Sequence, residues 1–321
     1  MLLFALNTSA KLGHAVADAA GIQLAPHEER EFAGGEHKTR PLQSVRGMDV
    51  YVLQSLNGDA NQTANDKLCR LLFFIAACRE NGAARVTAIV PYLAYSRKDR
   101  QTKARDPVTT RYVAMLFEAV GTDCVVTIDV HNLQAFQNAF RCSSLNLETA
   151  SLFSAEISKN SEKKQLVVFS PDAGGIKRAQ LLREKLSVMT GADIGFGFME
   201  KRRSSGVVSG DLFAGDIEGR SVWIVDDMIV GGGTMLRAAL ACHDRGAKEV
   251  HLAATHAMFE GDAVRSLGCA EITSVTLTDS AADPMPAAEM LGERLRILSV
   301  APTIAKAILH LHSGVHTFRG A

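Results

Sequence analysis

Two adjacent carboxylates lead directly into a glycine-rich turn and a helix. Asp226 and Asp227 follow the short apolar run 221–225, and a helix continues from about Leu236. The turn between them contains Gly231, Gly232, Gly233 and Thr234. Paired aspartates at a strand end can hold a sugar's vicinal hydroxyls, directly or through Mg2+. Glycine turns and helix N-termini bind anions through backbone N–H groups, and Thr234 is expected to cap the helix or donate to a phosphate. The segment predicts a ribose-phosphate site; the alternative is a tight strand-to-helix turn with an acidic start.

A loop rich in cations forms a second cluster. Residues 95–107 contain almost no apolar side chain and carry five cations, which are Arg97, Lys98, Arg100, Lys103 and Arg105. The loop follows an apolar strand and precedes a helix that Pro107 is expected to start. A solvated surface loop is the ordinary interpretation of such a charge run. Its position at a strand's carboxyl end, where α/β proteins bind ligands, favours a mobile anion-binding loop.

Three shorter segments place polar side chains after other strands. His131 comes just past an apolar strand, and Asp172 precedes a glycine pair and a basic helix start. Lys201 and Arg203 follow the predicted strand 194–199, ahead of a polar flap. Each segment alone is a moderate signal, and a lone histidine is more often structural. Together they predict an anion site built from several strand ends.

Strand and helix patterns alternate along the chain, which implies parallel sheets with crossover helices. The main strands are expected at 49–53, 86–91, 124–129, 166–170, 193–198, 221–225, 249–255 and 295–298. A chain of 321 residues exceeds one ordinary core. We therefore expect two similar α/β domains, over 1–150 and 151–300, and a C-terminal helix and tail over 301–321 that can pack on either domain.

The two halves also echo each other in sequence. The segment 82–90 resembles 246–254, each being a helix stop that leads into a strand. The strand that ends at Asp129 is matched in the same way with the strand that ends at Asp226. These echoes favour a duplicated domain.

Composition excludes several classes of protein. Lys+Arg and Asp+Glu both total 35, and the absence of a basic excess argues against nucleic-acid binding. The N-terminus lacks a signal peptide's basic region, and no apolar run approaches the roughly 18–20 residues of a membrane span. Six cysteines without a C-x-x-C pair are expected to be reduced thiols of a cytoplasmic protein.

With these segments in place, the chain resembles the ribose-phosphate pyrophosphokinases. The resemblance runs from about Phe32 to His312. The motifs that carry it, in family order, are Phe32-Ala-Gly-Gly-Glu36, Ser44-Val-Arg46-Gly, Tyr95-x-Arg97-x-Asp99-Arg100, Asp129-x-His131, Ser170-Pro-Asp172-Ala-Gly-Gly-x-Lys-Arg, Lys201-Arg-Arg203, Gly215-Asp-x-Glu-Gly and Asp226-Asp227-Met. The resemblance implies an α/β fold of two similar phosphoribosyltransferase-like domains, each a mostly parallel sheet flanked by helices.

The resemblance also implies an activity and residue roles. The reaction is Mg2+-dependent transfer of the pyrophosphoryl group of ATP to C1 of ribose 5-phosphate, releasing AMP. The implied catalytic residues are Lys201 and Arg203, and the implied metal site is His131 with Asp172. The implied ATP-binding residues are Phe32, Glu36, Arg97, Asp99, Arg100 and His131. The implied ribose 5-phosphate site is Asp226, Asp227, Gly231, Gly232, Gly233 and Thr234. The family completes its adenine site from a neighbouring subunit, so a homo-oligomer, dimer or hexamer, is expected.

Three departures from the family pattern keep alternatives open. Val230 and Gly231 replace an Asp or Ser and a Thr of the sugar-phosphate loop, Gly34 replaces an Asn or Asp near adenine, and the tail around His316 lacks the family's serine-rich regulatory segment. The first departure motivates a second hypothesis, a non-catalytic relative that regulates active synthetase subunits. A phosphoribosyltransferase that consumes the same diphosphate ranks last, because it needs neither the basic loop nor Lys201 and Arg203.

Overall fold

The computed structural model describes residues 1–160, 165–204, 207–281 and 284–314. These residues form two compact units. The first contains Met1–Glu148 and the chain from Ser299 onward, and the second contains Thr149–Leu298. Within the described residues, no helix is long and apolar enough to cross a membrane. The tail around His316 lies outside the described residues.

Strands and helices alternate along the chain as the sequence predicts. The strands are β1 (Leu2–Ala5), β2 (His27–Glu31), β3 (His37–Pro41), β4 (Asp49–Leu53), β5 (Arg85–Val90), β6 (Cys124–Ile128), β7 (Ser143–Leu147), β8 (Leu166–Ser170), β9 (Gly195–Ser204), β10 (Val207–Ala214), β11 (Ser221–Ile229), β12 (Glu249–Ala257), β13 (Ser274–Thr278) and β14 (Leu295–Leu298). The helices are α1 (Ala10–Ala20), α2 (Ala64–Glu80), α3 (Thr109–Ala119), α4 (Leu133–Ala139), α5 (Ala150–Asn160), α6 (Ile176–Thr190), α7 (Gly233–His243), α8 (Ala263–Leu267), α9 (Met285–Leu291) and α10 (Ala301–Ser313).

Each unit is built on one main sheet. The first sheet has the order β1-β4-β5-β6-β7 with every pair parallel, and β2 and β3 form a separate antiparallel hairpin. The second has the order β10-β9-β8-β11-β12-β13-β14, parallel except for the β9–β10 pair. Central strands such as β6 and β8 are buried along their whole length, which is why they read as continuous apolar runs. The predicted fold class is confirmed.

The final helix belongs to the first unit, which settles a point that the sequence left open. α10 packs against α1, and Arg85 at the start of β5 donates to the carbonyl oxygen of Leu311 at 2.7 Å. The same guanidinium donates to both carboxylate oxygens of Asp49, at 2.8 and 2.7 Å, and His312 lies 2.8 Å from Asp49. One partly exposed ion pair therefore anchors the helix to the sheet.

The sheet orders correct one of the two sequence echoes. The strand orders of the two sheets can be aligned, β1-β4-β5-β6-β7 with β8-β11-β12-β13-β14. This alignment matches β5 with β12, in agreement with the echo between 82–90 and 246–254. It matches β6 with β13, so Asp129 corresponds to Asp279, and the pairing of Asp129 with Asp226 is wrong. Similar apolar runs with a terminal aspartate occur on several strands, and only the sheet order tells them apart.

Candidate active site

Asp226 and Asp227 lie inside a strand, because β11 ends at Ile229, four residues beyond the end expected from the sequence. β11 continues to Ile229 because β12 stays paired with it, Met228 opposite His256 and Ile229 opposite Ala257. On its other side, the last residue paired with β8 is Ile224, opposite Phe169. The two aspartates therefore occupy a part of β11 that is supported on one side and open on the other. Pairing with β12 gives the carboxylates a rigid backbone.

The carboxylate pair is buried and shares one cation. The exposed fraction of the side chain is 16% for Asp226 and 2% for Asp227. Arg178, on the first turns of α6, places one guanidinium nitrogen 3.1 Å from Oδ1 of Asp226 and 3.5 Å from Oδ1 of Asp227. Burial raises the pKa of Asp226 well above its ordinary value, the neighbouring Asp227 raises it further, and Arg178 opposes both. A bound sugar with hydroxyl donors would stabilise the charge on these carboxylates.

The three glycines of the following turn are not equivalent. Gly232 precedes the first residue of α7 and has φ 75°, and a Cβ there would lie 3.2 Å from the carbonyl oxygen of Ala263. Gly231 and Gly233 lie outside the left-handed region, and a Cβ at either would meet nothing within 4 Å. Gly232 thus fixes the turn, whereas its neighbours leave space above the helix N-terminus for an anion.

Thr234 does not cap the helix, contrary to one of the two roles expected for it. The capping position is Gly232, and no side chain makes a capping hydrogen bond there. The helix starts one residue before Thr234, so that its hydroxyl belongs to the first turn. The second expected role, donation to a phosphate, remains a prediction.

Asp172 organises the turn after β8. Its Oδ1 accepts from the backbone N–H of Gly175 at 3.0 Å, and Ser170 Oγ donates to the carbonyl oxygen of Asp172 at 2.7 Å. A Cβ at Gly175 would lie 2.7 Å from that hydroxyl, so the turn requires glycine there. A carboxylate has about four acceptor positions, so Asp172 retains capacity to bind a cation.

Lys201 and Arg203 lie on a strand rather than beyond one. β9 runs to Ser204 and pairs with β10, Lys201 opposite Asp211 and Arg203 opposite Val208. Within the described residues, the predicted polar flap is therefore part of the hairpin formed by β9 and β10. Two residues at positions i and i+2 of a strand share a face. Their side chains lie outside what the structure describes.

In the first unit, the cationic loop meets the turn that carries His131. Asn132, next to His131, donates from Nδ2 to Oδ2 of Asp99 at 2.6 Å and accepts from the N–H of Ala135 at the start of α4. Arg97, Arg100 and His131 are exposed. One hydrogen bond thus joins the segments that follow β5 and β6, and it brings Asp99 next to the turn that carries His131.

The tip of the cationic loop is a structured turn. Asp106 accepts from Thr102 Oγ1 at 2.7 Å and from the N–H of Lys103 at 2.8 Å, and these bonds lower the pKa of Asp106. α3 starts at Thr109 with Val108 as its capping residue, so the prediction that Pro107 starts the helix is wrong. Proline fixes only its own φ, and the first helical hydrogen bonds form two residues later.

The remaining expected residues, Phe32 and Glu36, form the tip of the hairpin β2–β3. The N–H of Phe32 donates to the carbonyl oxygen of Glu36 at 2.8 Å, and the Phe32 side chain is 45% exposed. Arg30 lies over the Phe32 ring, 5.3 Å from its centroid. An exposed aromatic ring on a tight turn suits contact with a flat partner such as a base.

The structure thus groups the expected residues by unit. The first unit brings together Asp99 and the turn at His131, and carries Phe32 and Glu36 on a separate hairpin; the second unit brings Asp226 and Asp227 next to the glycine turn. Among the described residues, no group of three or more His, Cys, Asp or Glu side chains forms a metal cage. Arg178 was not among the residues that the sequence predicted to meet the aspartates, although its motif includes a basic pair at the start of α6.

Both units match families of known proteins. Residues 1–121 match the family described as the N-terminal domain of ribose phosphate pyrophosphokinase, and residues 148–289 match the phosphoribosyl transferase domain. A ribose-phosphate pyrophosphokinase of Caldanaerobacter subterraneus subsp. tengcongensis is 35% identical over 98% of this chain and 95% of its own. That of Granulibacter bethesdensis is 34% identical over 96% of each chain.

A solved structure is similar along nearly the whole chain. The crystal structure of phosphoribosylpyrophosphate synthetase from Mycobacterium smegmatis superposes with a TM-score of 0.87 at 31% sequence identity. The match covers 98% of this chain and 99% of that one.

Proposed function

Because the chain belongs to the ribose-phosphate pyrophosphokinase family, we propose that it transfers the β,γ-pyrophosphoryl group of ATP to the C1 hydroxyl of ribose 5-phosphate. The products are 5-phosphoribosyl 1-diphosphate and AMP. The C1 hydroxyl gives up its proton to solvent and its oxygen forms a bond to the β-phosphorus. The bond from that phosphorus to the α,β-bridging oxygen breaks, and AMP leaves with that oxygen. One observation carries the proposal: a buried carboxylate pair on β11 leads into an open glycine turn at the start of α7.

The second unit suits the sugar phosphate. Asp226 and Asp227 would accept hydrogen bonds from the ribose hydroxyls, and Arg178 would hold both carboxylates in place. The backbone N–H groups of Gly231, Gly232 and Gly233 and the Thr234 hydroxyl would bind the 5-phosphate. Anions are stabilised at helix N-termini by about 0.3–1 kcal/mol through the helix dipole, and the N–H donors add to this. Val230 and Gly231 replace an Asp or Ser and a Thr of the family's sugar-phosphate loop, so we expect weakened rather than abolished binding.

Cations would then neutralise the phosphates that react. Arg97 and Arg100 are assigned to the triphosphate, and Lys201 and Arg203 to the charge that develops on the transferred group. Catalysis of phosphoryl transfer is mostly positioning and electrostatic stabilisation, so fixed cations contribute directly to rate. Asp99 would act through its bond to Asn132, which holds the loop against the turn at His131.

The proposed cofactor is Mg2+, and the residues present fit it. Mg2+ commonly binds one or two carboxylates and several phosphate oxygens rather than an all-protein cage. Asp172 offers a half-buried carboxylate with free acceptor capacity beside the carboxylate pair, and substrate phosphates would complete the set. When bound, Mg2+ neutralises phosphate charge and polarises the transferred group. His131, the second expected ligand, is a nitrogen donor and would act partly through water.

Adenine would be recognised by the hairpin tip of a neighbouring subunit. Phe32 is exposed at that tip, and its ring has the shape for stacking on a base. We therefore propose a cytoplasmic homo-oligomer, a dimer or hexamer, whose adenine sites contain Phe32 and Glu36 of adjacent copies. Gly34, at φ 88°, leaves the tip without a polar side chain at that position.

The test is incubation of the purified protein with Mg2+, ATP and ribose 5-phosphate, with nucleotide products separated by chromatography. AMP in equal amount to 5-phosphoribosyl 1-diphosphate supports the proposal. ADP would indicate ordinary kinase chemistry. If neither AMP nor ADP forms, and the protein stimulates or inhibits an active synthetase, the result would support the regulatory alternative that Val230 and Gly231 motivate.

A further inference from the structure

One residue of the cationic loop has a backbone conformation that its side chain disfavours. Tyr95 directly precedes the loop that carries Arg97 and Arg100, and its φ is 64°. A bulky residue without a glycine's freedom adopts this conformation only where its surroundings impose it, and such residues concentrate at functional sites.

Two side chains from different helices hold Tyr95 at its two ends. The Tyr95 hydroxyl donates to Oδ1 of Asn65, in the first turn of α2. The carbonyl oxygen of Tyr95 accepts from Thr110 Oγ1, at the start of α3, at 2.8 Å. The N–H of Lys98 also donates to this carbonyl, at 2.9 Å, and the ring packs partly against the core.

Both partners are themselves fixed. α2 begins with a reciprocal capping pair, in which Thr63 and Asp66 each accept from the other's backbone N–H. Thr110 is 3% exposed, and its N–H donates to the carbonyl oxygen of Lys98 at 3.2 Å. The first residues of the loop are therefore held between two helix starts rather than by the exposed cations themselves.

We propose that Asn65 and Thr110 are positioning residues that hold Tyr95 in its left-handed conformation and thereby pre-organise the cationic loop for an anionic substrate. The part of the inference that concerns ATP rests on the proposed function. Pre-organisation lowers the entropy lost when the loop binds its ligand. Loss of either hydrogen bond should leave the cations present but less often correctly placed, which weakens triphosphate binding without removing a group that touches it.

The closing experiment uses four variants of the full chain and one matched control. Tyr95→Phe removes only the hydroxyl, and Thr110→Val removes the other hydroxyl at nearly constant shape. Asn65→Asp and Thr110→Ser keep an acceptor and a hydroxyl respectively, so they should restore the wild-type behaviour. Tyr112→Phe is the matched control, because Tyr112 is 51% exposed on α3.

The first measurement needs no substrate and no activity. Trypsin cleaves after Arg and Lys, and the exposed cations of the loop supply its sites. We expect Tyr95→Phe and Thr110→Val to be cut within residues 97–105 about 3- to 10-fold faster than wild type, the equilibrium effect of losing one net hydrogen bond. The thermal midpoints should stay close to that of wild type, and the control and the two conservative variants should be cut at the wild-type rate.

The second measurement is kinetic. The KM for ATP should rise about 3- to 10-fold in Tyr95→Phe and Thr110→Val, with a smaller change in KM for ribose 5-phosphate. Unchanged cleavage and unchanged KM for ATP in both variants would overturn the inference. A wild type that makes no AMP would instead remove the proposed function, while the cleavage rates would still decide whether Asn65 and Thr110 order the loop.

Discussion

The most discriminating change in the glycine turn is a single methyl group added at two neighbouring positions. A Cβ at Gly232 would lie 3.0 Å from Ser266 Cβ and 3.2 Å from the carbonyl oxygen of Ala263, with φ at 75°. A Cβ at Gly231 would meet nothing within 4 Å. Gly232→Ala and Gly231→Ala therefore make the same chemical change, one against an obstacle and the other into open space.

The expected magnitude follows from the backbone. An L residue in the left-handed region costs about 1–2 kcal/mol, and strained positions as a class cost about 1–3 kcal/mol. The Ala263 carbonyl is backbone of α8 and cannot move aside without disturbing that helix. If the turn shifts to relieve this strain, its N–H groups lose their alignment, and the KM for ribose 5-phosphate should rise about 5- to 150-fold. Gly231→Ala should stay within about twofold of wild type.

The assay measures KM for each substrate and the thermal midpoint of each variant. If the turn moves in Gly232→Ala and relieves the strain, KM for ribose 5-phosphate rises. If the turn stays in place and retains the strain, the thermal midpoint falls instead. KM for ATP should change little in either case. If Gly232→Ala binds ribose 5-phosphate as tightly as Gly231→Ala and unfolds at the same temperature, the turn does not need glycine at 232 and the assignment of the phosphate site loses its main geometric support.

Four further predictions follow from the same contacts. Arg178→Met should raise KM for ribose 5-phosphate by about tenfold or more, since hydrogen bonds to charged groups contribute about 1.5–3 kcal/mol; a matched loss in ATP affinity would contradict it. Asp227→Asn should weaken ribose 5-phosphate binding in calorimetry and leave ATP binding nearly intact. Lys201→Ala should lower turnover about 10²–10³-fold with little change in ATP binding; a raised KM at constant turnover would refute its role. Burial alone would raise the pKa of Asp49, but hydrogen bonds from Arg85, His312 and Tyr51 lower it. Ionised Asp49 therefore makes its full contribution to stability above the ordinary aspartate pKa of about 3.9, and this contribution is lost as pH falls through the lowered pKa. The thermal midpoint of Asp49→Asn should depend less on pH below 4 than that of wild type.

The sequence predicted most strands well because buried parallel strands are short apolar runs between turn residues. β4, β8 and β14 begin and end where expected. β11 and β9 extend further than expected, because their lengths depend on the neighbour: β12 continues beside β11, and β10 returns beside β9. No local pattern reports how far a partner strand runs.

Besides strand lengths, the sequence could not predict which side chains from distant segments come into contact. Arg178 reaches Asp226 across 48 residues of sequence, and the pair forms only because α6 and β11 pack together. Asn132 reaches Asp99 in the same way, 33 residues away. In both cases the sequence contained the residues in recognisable motifs, but which side chains meet depends on how helices and strands pack.

The duplicated sheet explains why the carboxylate pair appears in one unit and not in the other. The sheet orders match β4 with β11, so Gln54 and Ser55 stand directly after β4 where Asp226 and Asp227 follow the equivalent part of β11. In the first unit these positions serve structure: Gln54 Nε2 donates to Thr8 Oγ1 at 2.7 Å, and the N–H of Ser55 donates to Ser9 Oγ at 3.0 Å.

The loop after β4 has lost the open turn as well. It is longer than the glycine turn after β11 and is closed by its own charges, with Lys67 Nζ 2.7 Å from Oδ2 of Asp59 and a capping pair at the start of α2. Neutral side chains and a closed loop provide neither carboxylate acceptors for the hydroxyl groups of a sugar phosphate nor free N–H donors for its phosphate. The first unit instead carries exposed cations after the next strand, β5. The two units thus differ in charge at matching strand ends, which supports our proposal that the second unit binds the sugar phosphate and the first binds the triphosphate.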